Sequence, residues 1–346
     1  MHSFEILYDL DDQRIIPFLL THERSSVYHH PAWLKGISKC FNHKAFYLLE
    51  IDDTNNITGL IPFMIINSNF TKKRVVSLPF STHCDPLIDF NDLKAAIGFL
   101  KLHFDNNIKI DLRTLSNLNN ILSDFSFSSE FTTHILEMDD SLESTFNSFH
   151  GRSVRASIRK AEKNDLSFEF LNNDNGLKIF YNLETDLRKR LALPPLPFKF
   201  FKKVFVELNK YNLICIPIVR KSNLPLAAGF ILEFKDTTYL EYTASNRNYI
   251  DLYINQKLFW EIIKAAHIKG IRKIDFGRSN INHQTLIAFK EKWNAKPFFI
   301  SNYWHPESNI IKKNKKTLNR VMKKVNMFMP ASLLKIEGKL LYPHLD

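Results

Sequence analysis

KIDFGRS, residues 273–279, echoes KIDLRTL, residues 109–115. The flanks decide whether the echo is a duplication. Before Asp111, Leu93, Ala96, Ile97, Leu100 and Phe104 recur at helical spacing. Before Asp275, Phe259, Ile262, Ile263 and Ala266 mark a second apolar face, and Gly270 stands where a helix C-terminus favours positive φ. Further upstream each copy holds two apolar runs around a polar turn, at 45–65 and 213–234, with Gly59 and Gly229 just past the turn. The two glycines lie 170 residues apart (229 minus 59) and the two aspartates 164 (275 minus 111). Three features in one order at nearly one offset predict two copies of a mixed α/β unit: helix, hairpin, further strand, helix, strand.

A chain of 346 residues suits two ordinary domains. With 45% apolar residues, 30 of them Phe, both can build a core, whereas 9 Gly leave little for phosphate-cradling loops. Neither G-x-x-x-x-G-K-[ST] nor G-x-G-x-x-G occurs, which excludes nucleotide sites of those kinds. The acidic N-terminus reads as no signal peptide, no apolar run is long enough to span a bilayer, and Cys40, Cys84 and Cys215 lack pairing spacing. The expected compartment is the cytoplasm, with reduced thiols.

The net charge of +11 is concentrated in two places. Residues 306–346 carry nine basic against three acidic side chains, and GRSVRASIRKAEK, 151–163, five against one. On a helix, Arg152, Arg155, Arg159 and Lys163 form one stripe and Val154, Ile158 and Ala161 the opposite one. One face can dock while the other offers guanidinium groups to phosphate. A solvated face is the plainer alternative for the tail.

THCDP, 82–86, brings His, Cys and Asp together, yet neighbours on an extended chain point to opposite faces, which argues against a thiol relay at Cys84. His and Cys spacing gives no metal site. Tyr239, Tyr242, Tyr249 and Tyr253 are pocket or core residues. In DFGRSNINHQTLIAFKEKW, 275–293, Arg278 sits at a strand tip and Lys290 lies between Phe289 and Trp293. Lys290 is either a fixed positive charge for an oxyanion or a snorkelling lysine of an amphipathic segment.

YTASN (242–246), WEIIKAAHIKGIRKIDFGRS (260–279) and FKEKW (289–293), with GRSVRASIRKAEK, YHHPAWLKGISK (28–39) and VVSLPFSTHCDPL (75–87), resemble the FemABX family, in its FemAB-related, BioF2-like acetyltransferase branch. The resemblance covers nearly the whole chain. It implies an α/β fold of two tandem GNAT-like (acyl-CoA N-acyltransferase) domains, each a mixed central sheet flanked by helices: 1–150, a catalytic 151–305, and a basic helical extension, 306–346. It implies acyl or aminoacyl transfer to an amine of a cell-envelope precursor, with acyl-CoA, acyl carrier or aminoacyl-tRNA as co-substrate and no permanently bound cofactor. Lys290 matches the lysine of the family's F-K motif, and Tyr242 the tyrosine of Y-G-A-S, with Thr243 for the glycine. Asp275 is a candidate base, although Asp111 in the other copy points to a shared structural role. Arg155, Arg159, Arg278, Trp293 and Tyr249 are the candidate substrate-binding residues. Expected partners are a phosphate-containing donor or acceptor, tRNA, and the inner membrane face through 312–324; a non-catalytic tRNA- or membrane-binding module is the rival. Where muropeptide-binding members carry Arg and Tyr, this chain reads Leu196 and Phe200.

Overall fold

In the computed structural model, which describes residues 3–68, 73–306 and 322–344, both expected hairpins close through residues that tolerate tight turns. Asp52 takes the backbone N–H groups of Thr54 and Asn56, each at 2.9 Å, and Asn55 adopts φ 65°. That turn joins β2 (Lys44–Ile51) to β3 (Ile57–Ile66). In the second copy Ser222, at φ 52°, joins β9 (Pro217–Lys221) to β10 (Leu224–Phe234).

The first half opens with β1 (Ser3–Leu7), α1 (Ile15–Thr21) and α2 (Pro31–Phe41). Pro31 suits the first helical position, and Asn42, at φ 60°, ends the helix. After the hairpin come β4 (Arg74–Ser77), α3 (Phe90–Phe104), β5 (Lys109–Thr114) and β6 (Ser126–Glu137). α4 (Leu142–Ser148) and a π-helical turn, Gly151–Arg155, lead to α5 (Ala156–Lys163), β7 (Ser167–Phe170), α6 (Asp174–Arg190), α7 (Phe198–Asn209) and β8 (Ile214–Cys215). After β9 and β10 follow β11 (Thr237–Ser245), α8 (Ile254–Ile268), β12 (Lys273–Asn280), α9 (Gln284–Glu291), β13 (Lys296–His305) and α10 (Ala331–Leu341). Gly270, just past α8, adopts φ +74°.

All the named strands join one sheet, ordered β1-β2-β3-β4-β5-β13-β6-β12-β11-β10-β9-β7, with β8 paired to β10. The order reads as two copies meeting at the β13–β6 pair. β4 runs parallel to β5 as β11 runs parallel to β12, and Val76 pairs with Asp111 as Tyr239 pairs with Asp275. The opening echo is thus one register position used twice. Around residue 150 the sheet does not divide: β6 bonds β12 and β13, and β13 separates β5 from β6.

Alternation along the strands builds three cores. One face carries a core shared by both halves, from Trp33 and Ile37 of α2 through Tyr47 and Leu49 to Phe200 and Val204 of α7 and Phe230 of β10. Gly36 lets α2 approach α7 closely; a Cβ there would lie 2.7 Å from Val204 Cα. The opposite face carries two separate cores, under α3 and under α8.

Candidate functional site

β11 and β12 pair only from Thr237–Lys273 to Tyr239–Asp275. Beyond that point β12 bonds β6 through Arg278, Ser279 and Asn280, while Tyr242, Thr243, Ala244 and Ser245 of β11 bond β10 alone. The parallel strands therefore part, and candidate chemistry gathers where they do.

The parting coincides with a β-bulge. β12 spends three steps from Asp275 to Arg278 where β6 spends two, from Ile135 to Thr133. Gly277 sits in the bulge at φ +71°, a left-handed conformation that glycine adopts without cost. The bulge frees its carbonyl from the ladder, and Lys290 Nζ donates to that oxygen at 2.6 Å. Lys290 is 5% exposed, and burial lowers its pKa to about 8 against the pull of Asp275. Its neighbours Phe289 and Trp293 belong to the core under α8. His134, in β6 opposite the bulge, is buried with neither ring nitrogen bonded; burial, with Lys290 nearby, lowers its pKa to about 4.

Asp275 is buried. Its Oδ1 accepts from the Gly277 N–H at 2.7 Å and from the Thr133 hydroxyl. Its Oδ2 has no hydrogen bond and lies 3.8 Å from His83 Nε2. The other ring nitrogen, Nδ1, is 3.2 Å from Asp85 Oδ2. Burial opposes protonation of His83, but the two carboxylates prevail and raise its pKa to about 9. On β11, Glu241 is half-buried and accepts a hydrogen bond from Tyr28. Burial raises the Glu241 pKa to about 7, against the opposing Tyr28 hydrogen bond. The Tyr28 ring meets His83 edge-on at 5.9 Å and Tyr239 at 5.5 Å.

Of the residues expected from sequence, Lys290 and Asp275 meet at this bulge, with Arg278 beside them, exposed and 4.7 Å over the Phe131 ring. The others lie elsewhere. Tyr242 packs on Phe201 and Phe230 in the shared core. Trp293 is fully buried among Phe149, Phe259 and Phe276, so it packs and presents no surface to a ligand. Tyr249 lies in the 3₁₀ segment Arg247–Leu252 before α8, packed against the core there. The basic helix docks as its pattern predicts: Val154, Ile158 and Ala161 are buried while Arg152, Arg159, Lys160 and Lys163 are exposed. Arg155 Nη1 donates to Asn147 Oδ1 at 3.3 Å, and Arg159 lies over Phe146. Cys84 is buried and its thiol is pushed well above its ordinary pKa, so it is no nucleophile. Of the tail stretch 312–324, residues 312–321 lie outside the described residues. Among the described residues no helix is long and apolar enough to cross a membrane.

Sequence reasoning missed His83, Asp85, Tyr28 and Glu241. The alternation that separates His83 from Cys84 puts His83 and Asp85 on one side, and a lone Glu in the apolar run YLEYTA was a signal of its own.

Residues 148–285 match the family model described as "Acetyltransferase (GNAT) domain". The crystal structure of FemX superposes with a TM-score of 0.70 at 15% identity, covering 92% of this chain and 100% of that one. A structure described as the "C-terminal Domain (DUF2156) of Putative Lysylphosphatidylglycerol Synthetase from Agrobacterium fabrum" gives 0.56 at 10% identity over 90% and 95% of the two chains. A tandem GNAT protein from the clavulanic acid biosynthesis pathway gives 0.53 at 8% identity over 89% and 100%. No curated protein matches significantly. The fold is that of tandem GNAT proteins.

Proposed function

On the premise that the chain has the fold of tandem GNAT proteins and that its residues 148–285 match an acetyltransferase (GNAT) domain model, we propose that it transfers an acyl or aminoacyl group from a thioester or ester donor to an amine. The observation that carries this reading is Glu241, half-buried on β11 just past the parting of β11 and β12, with its pKa raised to about 7. A base poised near neutral pH is what an amine nucleophile needs.

The amine nitrogen attacks the acyl carbonyl carbon and a C–N bond forms. The ammonium proton passes to Glu241. The C–S or C–O bond to the carrier then breaks, and the departing thiolate or alkoxide takes a proton from Glu241 or water. The Lys290 ammonium, at the bulge, supplies the positive charge that the carbonyl oxygen meets as it becomes an oxyanion. Arg155, Arg159 and Arg278 hold donor or acceptor phosphates; the exposure of Arg159 and Arg278 supports this. The acceptor that the FemABX resemblance implies is an amine of a cell-envelope precursor, reached at the cytoplasmic membrane face.

A panel of acyl-CoA, acyl carrier and aminoacyl-tRNA donors tests the reading. Glu241→Gln is expected to lower kcat about 10²- to 10⁴-fold and to abolish an acid limb near pH 7. Lys290→Ala is expected to lower it about 10²- to 10³-fold with donor affinity retained. Full activity in Glu241→Gln would overturn the mechanism, and no turnover with any donor would leave the binding module. The exposed basic face of α5 favours that second reading, and the salt slope of tRNA or anionic-vesicle binding would count its phosphate contacts.

A further inference from the structure

The segment between β4 and α3 does two things at once. In the second half the strands part after Tyr239–Asp275; in the first half the equivalent gap is filled. Past Ser77 the chain returns to the sheet: the Cys84 N–H donates to Arg113 O at 2.7 Å, and Leu87 bonds Leu60 in both directions at 2.7 and 2.9 Å. Residues 84–87 thus occupy the slot that β4 leaves and close the first-half crevice. Asp111, the counterpart of Asp275, faces Arg74 at 3.7 Å and Lys109 at 3.5 Å. The same closure sends His83 across the molecule.

We infer that the first half completes the second half's site: His83, gripped between Asp85 and Asp275, is a positioning residue that fixes Asp275 and sets a positive charge facing Glu241. This inference rests on the acyltransfer reading only for its catalytic consequence.

The grip begins at Asp85. Its carboxylate accepts from the Thr114 hydroxyl, the Ser116 hydroxyl at 2.7 Å, and the backbone N–H groups of Leu115 and Ser116 at 3.1 and 2.9 Å, besides facing His83. A carboxylate held by that many donors stays ionised and immobile, and its pKa lies well below the usual range. His83 faces Asp85 on one side and the unbonded Oδ2 of Asp275 on the other. Other titratable groups lie close by, and the Lys290 ammonium acts on the same Asp275 carboxylate. His29, in the turn before α2, donates its Nε2–H to the Asp85 carbonyl oxygen at 2.8 Å while its Nδ1 accepts from the Ser26 N–H, and burial keeps it uncharged, its pKa lowered to about 4. Tyr28 packs edge-on to the ring and binds Glu241. Tyr239 pairs with Asp275 across the strands, and the charge on His83 lowers the proton affinity of Glu241. Of these groups, His29 stays uncharged and Glu241 takes up its proton only near pH 7, below His83, so the imidazolium persists through neutral pH.

The test uses the full chain and two readouts. In the first, imidazole and carboxyl NMR titrations follow His83 and Glu241 without any substrate. Wild type is expected to show one imidazole titrating near pH 9 and His83→Gln to lack it. In that variant the Glu241 titration is expected to move up by about 1 unit, the size of effect a nearby opposite charge exerts. An imidazole at an ordinary pKa, or an unmoved Glu241, overturns the inference whether or not acyl transfer is found. In the second, with an active donor in hand, the acid limb of kcat/KM in His83→Gln should follow Glu241 upward; a limb that stays put overturns the positioning role. Asp85→Asn, which keeps the side chain's size but removes the charge beside His83, is expected to reproduce the direction of both changes should His83→Gln fold poorly.

Discussion

Lys290 is a buried cation that the fold holds against its own stability. Its pKa falls from 10.5 to about 8, so the folded state binds this proton less firmly than the unfolded chain does. The penalty applies in full below pH 8, and stability contributed at this site rises as pH climbs from 8 to 10.5. At pH 7 the penalty is of order 3 kcal/mol, while the bond to Gly277 O returns about 1–2 kcal/mol. Lys290→Met is therefore expected to raise the urea midpoint at pH 7, by about 1 kcal/mol of stability, and to lower it at pH 10.5. A variant less stable than wild type at pH 7 would contradict this. Such opposition between stability and a retained charge is common where a residue is kept for chemistry. Sequence alone put Lys290 in aromatic company. It could not tell a snorkelling lysine from a sunken one, because the difference lies in a bulge 13 residues upstream whose extra residue only the register with β6 reveals.

Helices and strands were legible because each carries its own period. The apolar stripes ahead of Asp111 and Asp275 became α3 and α8, and the basic helix docked on its predicted face. What the sequence hid were contacts between distant elements. His83 and Asp275 are 192 residues apart (275 minus 83), and no local pattern links a loop of one copy to a strand of the other. The α2–α7 contact is of the same kind, and it carries a paired prediction. Gly36→Ala would press a Cβ to 2.7 Å from the Val204 backbone, so unfolding in urea should show a loss of about 1–3 kcal/mol. Gly98→Ala, in α3 with nothing within 4 Å of its Cβ, should gain about 0.5–1 kcal/mol from helix propensity alone. Equal effects at the two sites would show that the close approach of α2 and α7 is not what Gly36 provides.

At the scale of the molecule, the duplication was readable as an offset, while the way its copies interlock was not. Residues 1–150 contain β5 and β6 but not β13, the strand between them. Fragments 1–150 and 151–346, expressed singly, are expected to be unfolded or aggregated by circular dichroism and gel filtration, and to recover a native-like spectrum only when produced together. A cooperative melt from 1–150 alone would refute this. The shared core from α2 to α7 points the same way, since neither fragment can bury its side of it unaided.

The central position of β13 also bears on synthesis. Domains usually settle one after another as they leave the ribosome. Here the seam between β5 and β6 must wait for residues 296–305. For about half of translation, from residue 137 to residue 305, the nascent chain carries two unpaired strand edges, a condition that invites aggregation. The protein should accordingly depend on holdase chaperones while it is being made, and slower translation ahead of residue 296 should lower its soluble yield.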